Sequence, residues 1–286
     1  MNILEKFKVI GEGKNVTIGI GIGEQDSHNF KILNAILDIL GNYELNIYLF
    51  GKKSAIDYLI RSHNKKIDKN NLKFIKNEDP EKTIISFLKD GKIRAVIRGS
   101  LSSSNFLKSI KEILNFSEIH RLTLLETYDG YQFFYGPVGI DECNTFEKKR
   151  DFILKAIPIF NLLKIDLKVS ILSGGRKGDI GRDEAVDKSI TLANDVVNFF
   201  KREYPSLIID HDEILIEKSI EKRSNLIIAP DGISGNLIYR TLVHLGGGKA
   251  YGAIYLDTNY IIIDTSRVGN ISEITGALYL ALALTN

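Results

Sequence analysis

Short apolar runs alternate with amphipathic segments along most of this chain. The runs are rich in Ile, Val and Leu, and they predict buried strands at residues 14–22, 45–50, 93–98, 168–172, 225–229 and 260–264. Apolar residues at helical spacing predict helices at residues 29–40, 54–62, 80–89, 106–114, 145–164, 183–203, 237–245 and from residue 271 onwards. Strands that alternate with helices predict an α/β protein with doubly wound, mostly parallel sheets.

One region departs from this alternation. Two apolar runs at residues 121–127 and 131–135 are separated by Asp129-Gly130, which is a strong hairpin signal, and residues 138–140 are a candidate third strand. We place a change of domain here, and expect a first domain from residues 1–135 plus 257–286 and a second from residues 136–256. The lysine- and asparagine-rich residues 63–71 are expected to form a solvated connection.

Composition narrows the class of protein. Of 286 residues 44% are hydrophobic, which is enough for a large core in one or two domains. Lys and Arg number 38 against 36 Asp and Glu, so the basic excess of a general nucleic-acid binder is missing. The longest apolar run is shorter than the roughly 20 residues that span a bilayer, so we expect no membrane insertion. The single cysteine, Cys143, suits a reducing cytoplasm and is better explained as a small buried residue than as a nucleophile.

The first predicted strand ends in alternating glycines, Gly19, Gly21 and Gly23. They superficially match the turn of dinucleotide-binding folds and of S-adenosylmethionine-dependent methyltransferases. Those sites also need a carboxylate at the end of the second strand to hold ribose hydroxyls, whereas that strand ends here in Gly51-Lys52. Close packing of the strand against a neighbour explains the glycines better.

Four other loops follow predicted strands, where a doubly wound fold places its ligands. The turn with Ser266 and Arg267 precedes the closing helix, and a helix N-terminus and a guanidinium both attract anions. The other three loops contain Gly99, Ser100 and Ser102; Ser173, Gly174, Gly175, Arg176 and Lys177; and Asp231, Gly235 and Asn236. The serines of the first loop and Asn236 also suit helix caps, Asp231 also suits a turn, and the loop with Arg176 and Lys177 also suits a solvated surface turn, although an anion site is favoured there.

Residues 210–213, Asp-His-Asp-Glu, have side chains that bind metals. Consecutive residues of an extended chain cannot all face one ion, however. A solvated turn that opens a helix is the better interpretation, and we expect no metal site.

Four motifs within about residues 165–286, taken together, resemble the phosphate acetyl/butyryltransferase family. They are residues 225–236, which match an apolar strand followed by Pro-Asp-x-x-x-Gly-Asn; Leu245-Gly246-Gly247; Asp264-Thr265-Ser266-Arg267; and residues 169–178, with a Leu-Ser loop and Lys-Gly. The resemblance implies the two-domain fold of isocitrate and isopropylmalate dehydrogenases, with an active cleft between the domains. Within this superfamily the chain also resembles the MtxX group of methanogenic archaea, which carries the name of a methyltransferase subunit.

In the acyltransferases an acyl group moves between phosphate and the thiol of coenzyme A. The resemblance implies that Ser266 positions the carbonyl, that Arg267 stabilises negative charge, and that Glu273 takes the thiol proton where the family has Asp. It also implies that the loops containing Gly99, Ser173 and Asp231 bind phosphate and substrate. Coenzyme A or a related thiol coenzyme is the implied substrate, no tightly bound cofactor is expected, and a homodimer is expected by analogy.

Two other functions stay open, a methyltransferase subunit in one-carbon metabolism and a non-catalytic accessory subunit that binds a ligand. Glu273 likewise has a second interpretation, because residues 270–273 have the spacing of a capping box. A second arginine of the acyltransferase family has no clear counterpart, and Lys108 is the nearest cation.

Overall fold

The computed structural model describes residues 1–62, 70–116, 118–256 and 258–285. The chain divides into two compact units, which we call unit 1 (Met1–Glu118 and Ala250–Asn286) and unit 2 (Ile119–Lys249). The predicted connection at residues 63–71 falls mostly on residues 63–69, which lie outside the described residues. No helix in the described ranges is long and apolar enough to cross a membrane.

Unit 1 is formed by strands from both ends of the chain. Its strands are β1 (Thr17–Ile22), β2 (Asn46–Gly51), β3 (Leu72–Lys76), β4 (Ala95–Ile97), β10 (Lys249–Tyr255) and β11 (Ile261–Asp264). Its helices are α1 (Ile3–Gly11), α2 (Asp26–Leu40), α3 (Lys53–Ser62), α4 (Pro80–Lys89), α5 (Ser103–Leu114) and α10 (Ile271–Leu284). The strands lie in the order β3-β2-β1-β4-β11-β10, and β10 runs antiparallel to β11 whereas the other neighbours are parallel.

The strand order reverses at β1, and this reversal determines which loops meet. From β1 the chain continues to β2 and β3 on one side, and it then returns to place β4 on the other side. Ligands of doubly wound folds bind at such a reversal, outside the carboxyl ends of the strands. Because β4 lies between β1 and β11 and is parallel to both, the loops after these three strands meet at one edge.

The glycines of β1 allow close packing. A Cβ atom on Gly19 would lie 2.5 Å from Cδ1 of Ile93, and one on Gly21 would lie 2.2 Å from Cδ1 of Leu101. Both distances are too short for non-bonded carbon atoms, so neighbouring side chains occupy the space that a larger residue would need. The geometry thus agrees with the packing interpretation of this glycine pattern.

Unit 2 contains the remaining strands. They are β5 (Arg121–Glu126), β6 (Gln132–Gly136), β7 (Lys168–Leu172), β8 (Ile208–Glu213) and β9 (Leu226–Ile228). Its helices are α6 (Phe146–Leu163), α7 (Glu184–Glu203), α8 (Ile216–Glu221) and α9 (Gly232–His244). The order is β5-β6-β9-β7-β8, in which β5 and β6 form the predicted antiparallel hairpin and the other pairs are parallel.

Several predicted elements differ from the structure. Residues 138–140 form no strand. Residues 210–213, predicted as a solvated turn, belong to strand β8, because this strand pairs with β7 along its length. Residues 119–135 lie in unit 2, since β6 pairs with β9, and residues 250–256 lie in unit 1, since β10 pairs with β11. No element was predicted at α1, β3 or β10.

Candidate functional site

A buried arginine holds together two of the loops at the edge of unit 1. Arg98 follows β4 and forms an ion pair with Asp264, the last residue of β11. Its guanidinium also donates hydrogen bonds to the carbonyl oxygens of Leu101, at 2.8 Å, and of Thr265. The Thr265 hydroxyl in turn donates to the carbonyl oxygen of Gly99, at 3.1 Å. The loops after β4 and β11 are therefore fixed to each other by side chains.

Gly99 and Ser100 connect the same loop to β1. Gly99 has φ +61°, and a Cβ atom there would lie 2.1 Å from the carbonyl oxygen of Gly21. The buried Ser100 hydroxyl accepts a hydrogen bond from the amide of Gly23 at 2.7 Å and donates one to Oδ1 of Asn29 at 2.5 Å. The Ser100 hydroxyl thus already donates its hydrogen bond to Asn29, and Gly99 and Ser100, both predicted to bind phosphate, mainly build the loop.

Ser102 has the capping role that the sequence left open. It is the N-cap of α5, and its hydroxyl accepts from the amide of Asn105 at 3.5 Å, a long contact. Its own amide donates to Oε1 of Glu81 at 3.2 Å, so a carboxylate already occupies this N–H group. Glu81 is itself almost completely buried. An incoming anion here would meet the charge of Glu81 as well as the N-terminus of α5.

The three predicted catalytic residues occupy different environments. Arg267 is exposed, and its side chain makes no hydrogen bond or ion pair with the described part of the chain. Ser266 is half-buried, and its hydroxyl accepts from the amide of Val268 at 3.3 Å. Glu273 is only 4% exposed, and its Oε1 accepts from the amide of Ser266 at 2.7 Å. The structure therefore brings Ser266 and Glu273 into contact, and it leaves Arg267 available.

The Glu273 carboxyl is held in an environment that disfavours charge. Burial raises its pKa to about 7, although the hydrogen bond from the Ser266 amide acts in the opposite direction. The charge of Asp264 raises this pKa further, and that of Arg98 lowers it. Within the described residues Oε2 has no hydrogen-bond partner. The group is thus partly protonated near neutral pH.

Arg267 lies in the wall of a pocket of about 680 Å³ within unit 1. The residues that line it follow β1 to β4 and β11: Ile22, Gly23, Glu24, Gln25, Lys52, Ala55, Glu78, Asp79, Pro80, Glu81, Lys82, Ser100, Leu101, Ser102, Asn105, Lys108, Ser109 and Arg267. Lys52 pairs with Glu24 at 3.2 Å, and Lys82 and Lys108 both lie 3.8 Å from Glu112. Among the cations of this pocket, Arg267 is the one whose charge no carboxylate of the described residues pairs with.

In unit 2 several polar groups of the loop after β7 already have hydrogen-bond partners in the protein. The buried Ser173 hydroxyl donates to the carbonyl oxygen of Gly175 at 2.8 Å, and the Gly174 amide donates to the Ser189 hydroxyl at 2.9 Å. The Arg176 amide donates to Oδ2 of Asp179 at 2.9 Å. Two of the N–H groups expected to face an anion are therefore occupied. The side chains of Arg176 and Lys177 remain exposed.

Asp231 caps α9, and Gly235 and Asn236 connect this helix to the segment that follows β6. Asp231 is the N-cap of α9, and its carboxylate accepts from the amides of Ile233 and Ser234 at 2.9 and 2.8 Å. A Cβ atom on Gly235 would lie 2.0 Å from the carbonyl oxygen of Pro137, and the Asn236 amide group donates to the carbonyl oxygen of Val138 at 2.7 Å. These contacts give all three residues of this motif a structural role.

Unit 2 also contains buried polar side chains that the sequence analysis did not select. Nζ of Lys149 donates to the carbonyl oxygens of Ala229 and Pro230 at 2.9 and 2.6 Å, and burial lowers the pKa of this lysine to about 8. Nε2 of His211 lies 2.8 Å from the Ser173 hydroxyl, and Nδ1 lies 3.0 Å from Oδ1 of Asn194. Ser173 and His211 are 38 positions apart in the sequence, so no local sequence pattern indicates that they lie in contact.

For residues 210–213 the sequence favoured a solvated turn over a metal site. Asp212 is completely buried in β8, and its carboxylate accepts hydrogen bonds from Ser170, Ser219 and Lys222 at 2.6, 2.9 and 2.6 Å. Burial acts to raise its pKa, but these hydrogen bonds lower the pKa overall. No group of three or more His, Cys, Asp or Glu side chains in the described residues could hold a metal ion.

No protein-family model matches the chain. A Methanosarcina mazei protein named "Putative methyltransferase mtx subunit X" is 46% identical over 284 residues, which cover 99% of this chain and 95% of that protein. The chain belongs to the mtx subunit X family. The resemblance to this group that the sequence analysis reported is thus confirmed.

Solved structures show the fold of this member of the mtx subunit X family. EutD phosphotransacetylase from Staphylococcus aureus has a TM-score of 0.71 at 17% identity, covering 98% of this chain and 97% of that chain. Isocitrate dehydrogenase from Methylococcus capsulatus has a TM-score of 0.55 at 11% identity, covering 93% and 85%. At such identities the likeness concerns the fold alone. It confirms the predicted α/β fold of the isocitrate dehydrogenase type.

Proposed function

We propose that this chain is a transferase that binds a phosphorylated substrate at the Ser266–Arg267 turn. The observation that carries the proposal is the guanidinium of Arg267, which no described residue pairs with and which lies in the wall of a pocket at the carboxyl ends of parallel strands. A guanidinium without a protein partner presents paired N–H donors, which match two oxygens of a phosphate group. The N-terminus of α10, which follows this turn, adds a favourable dipole.

The reaction that fits this site best is the exchange of an acyl group between phosphate and a thiol. The thiol loses its proton to a base, and its sulfur forms a bond to the carbonyl carbon. The bond between that carbon and the phosphate oxygen breaks, and phosphate leaves with the electron pair. In our proposal Arg267 stabilises the charge on the leaving phosphate, Ser266 positions the carbonyl, and the thiol belongs to coenzyme A or a related coenzyme.

The experiment is to mix the purified full chain with acetyl phosphate and coenzyme A and to follow thioester formation. Arg267→Ala should lower kcat/KM by about 100-fold, since a transition-state charge loses its main donor. Arg267→Lys should restore only part of the rate, because lysine cannot make the bidentate contact. The matched control is Arg61→Ala in α3, which removes another exposed arginine and should change nothing. Equal rates for Arg267→Ala and the unaltered chain would refute the proposal.

A second candidate, transfer of a methyl group, is favoured by the name of the Methanosarcina mazei relative. Its simplest form needs S-adenosylmethionine, and isothermal titration calorimetry tests that form directly. Lys52, which follows β2 and is paired with Glu24, argues against a ribose contact at this position. Micromolar binding of S-adenosylmethionine together with no acyl exchange would favour methyl transfer. Binding of inorganic phosphate without any turnover would favour an accessory subunit.

A further inference from the structure

The carboxyl group of Glu273 lies directly beneath the turn that carries Arg267. Its Oε1 accepts a hydrogen bond of 2.7 Å from the amide of Ser266, the residue before Arg267. We infer that Glu273 is a positioning residue, which fixes the direction of the Arg267 side chain and does not itself contact the substrate. The inference rests on the proposed anion site at Arg267.

Gly269 shows how closely the carboxyl group fits under the turn. A Cβ atom at Gly269 would lie 2.0 Å from Oε2 of Glu273, so no larger residue fits while the carboxyl keeps its place. The Gly269 amide donates to the carbonyl oxygen of Ser266 at 3.2 Å, which closes the turn. From α2, Nζ of Lys31 donates to the carbonyl oxygen of Gly269 at 3.3 Å. The turn is therefore held by hydrogen bonds to the side chains of Glu273 and Lys31.

The position of Glu273 does not suit direct contact with a thiol. Its side chain is almost completely buried, and it is absent from the wall of the pocket in which Arg267 lies. The groups that face it are the charges of Arg98, after β4, and Asp264, at the end of β11. A thiol would have to pass beneath the turn to reach either carboxyl oxygen.

The capping-box interpretation of Glu273 does not explain its contacts either. In a capping box the glutamate side chain accepts from the amide of the N-cap residue, which is Asn270 in α10. Here the side chain accepts from Ser266, and Asn270 makes no side-chain cap. The carboxyl thus reaches past the start of the helix and acts on the turn.

Three variants of the full chain test this role. Glu273→Gln keeps an acceptor oxygen for the Ser266 amide, whereas Glu273→Leu removes the acceptor and Gly269→Ala displaces it. Binding of inorganic phosphate, measured by calorimetry, should change less than threefold in Glu273→Gln and should weaken about tenfold in the other two, as expected when a hydrogen bond to a charged group is lost. If Glu273 is instead the thiol base, Glu273→Gln should lower the acyl-exchange kcat by 100-fold or more at unchanged KM.

A double-mutant cycle with Arg267→Ala shows whether Glu273 acts through Arg267. Once Arg267 is removed, adding Glu273→Leu should cost no further phosphate affinity, and an additional tenfold loss would overturn the inference. Hydrogen exchange of the Ser266 amide gives a readout that needs no ligand. Protection should persist in Glu273→Gln and fall about tenfold in Glu273→Leu. If the unaltered chain binds no phosphate, the proposed function fails, and the exchange result still shows whether Glu273 holds the turn.

Discussion

Arg98 and Asp264 form an ion pair whose side chains are 6% and 10% exposed, and it joins the loops after β4 and β11. The guanidinium has further acceptors in the carbonyl oxygens of Leu101 and Thr265. Burial on its own would lower the pKa of Arg98, but the charge of Asp264 and its hydrogen bond raise that pKa overall. A charged pair with satisfied hydrogen bonds thus fixes the loops next to the Arg267 turn.

Removing one partner of this pair should strongly destabilise the protein. Asp264→Ala leaves the Arg98 charge buried without its carboxylate, and such changes cost about 3–5 kcal/mol of unfolding free energy. The measurement is urea unfolding followed by circular dichroism. The control is Lys188→Ala, which removes an exposed pair with Glu184 and should cost less than about 1 kcal/mol. A cost below about 1 kcal/mol for Asp264→Ala would show that the pair does not hold the loops.

Two glycines with similar backbone angles should respond differently to alanine. Gly99 has φ +61° and a backbone oxygen 2.1 Å from the position of a Cβ atom, whereas Gly91 has φ +70° and open space around that position. Gly91→Ala should cost only the left-handed backbone strain of about 1–2 kcal/mol. Gly99→Ala should cost that strain and a steric clash as well, for a total above about 3 kcal/mol. Thermal unfolding of both variants makes the comparison, and equal melting temperatures would contradict it.

The raised pKa of Glu273 predicts a dependence of stability on pH. In the folded chain this carboxyl has a pKa of about 7 against 4.5 for an ordinary glutamate side chain, so the folded state binds its proton more tightly. This contribution to stability is complete below pH 4.5 and is lost as the pH rises through 7, and it amounts to roughly 3 kcal/mol. Glu273→Gln cannot ionise and should remove the slope. Urea unfolding at pH 5 and pH 8 tests this, and an unchanged slope in the variant would place its origin elsewhere.

The sequence predicted the parts of the fold that depend on local pattern. The strand at residues 260–264 and the helix from residue 271 match β11 and α10 closely, since a β-branched run and an apolar helix face are both visible in the sequence. The strand Ile208–Glu213 was not predicted, because its buried Asp212 is satisfied by Ser170, Ser219 and Lys222 from outside the strand. Such partners cannot be identified from the segment itself.

The same reason limits what the sequence could show about the candidate site. Arg267 was selected from its turn and helix, and the structure agrees in leaving its charge unpaired among the described residues. Ser100 and Asp231 were selected as ligands for an anion, yet their hydrogen bonds to Gly23 and to the first turn of α9 depend on the folded geometry. The role of Arg98 depends on Asp264, which is 166 positions away.

The position of β11 between β4 and β10 has a consequence for the order in which the elements of unit 1 are assembled. Arg98 leaves the ribosome 166 residues before Asp264, which at typical rates of synthesis is a delay of roughly 10 to 30 s. Throughout that time one edge of β4 has no partner strand, and a buried arginine has no carboxylate. Unit 2 has been synthesised by then and is free to fold. The Arg267 turn, which follows β11, is therefore among the last parts of unit 1 to be assembled.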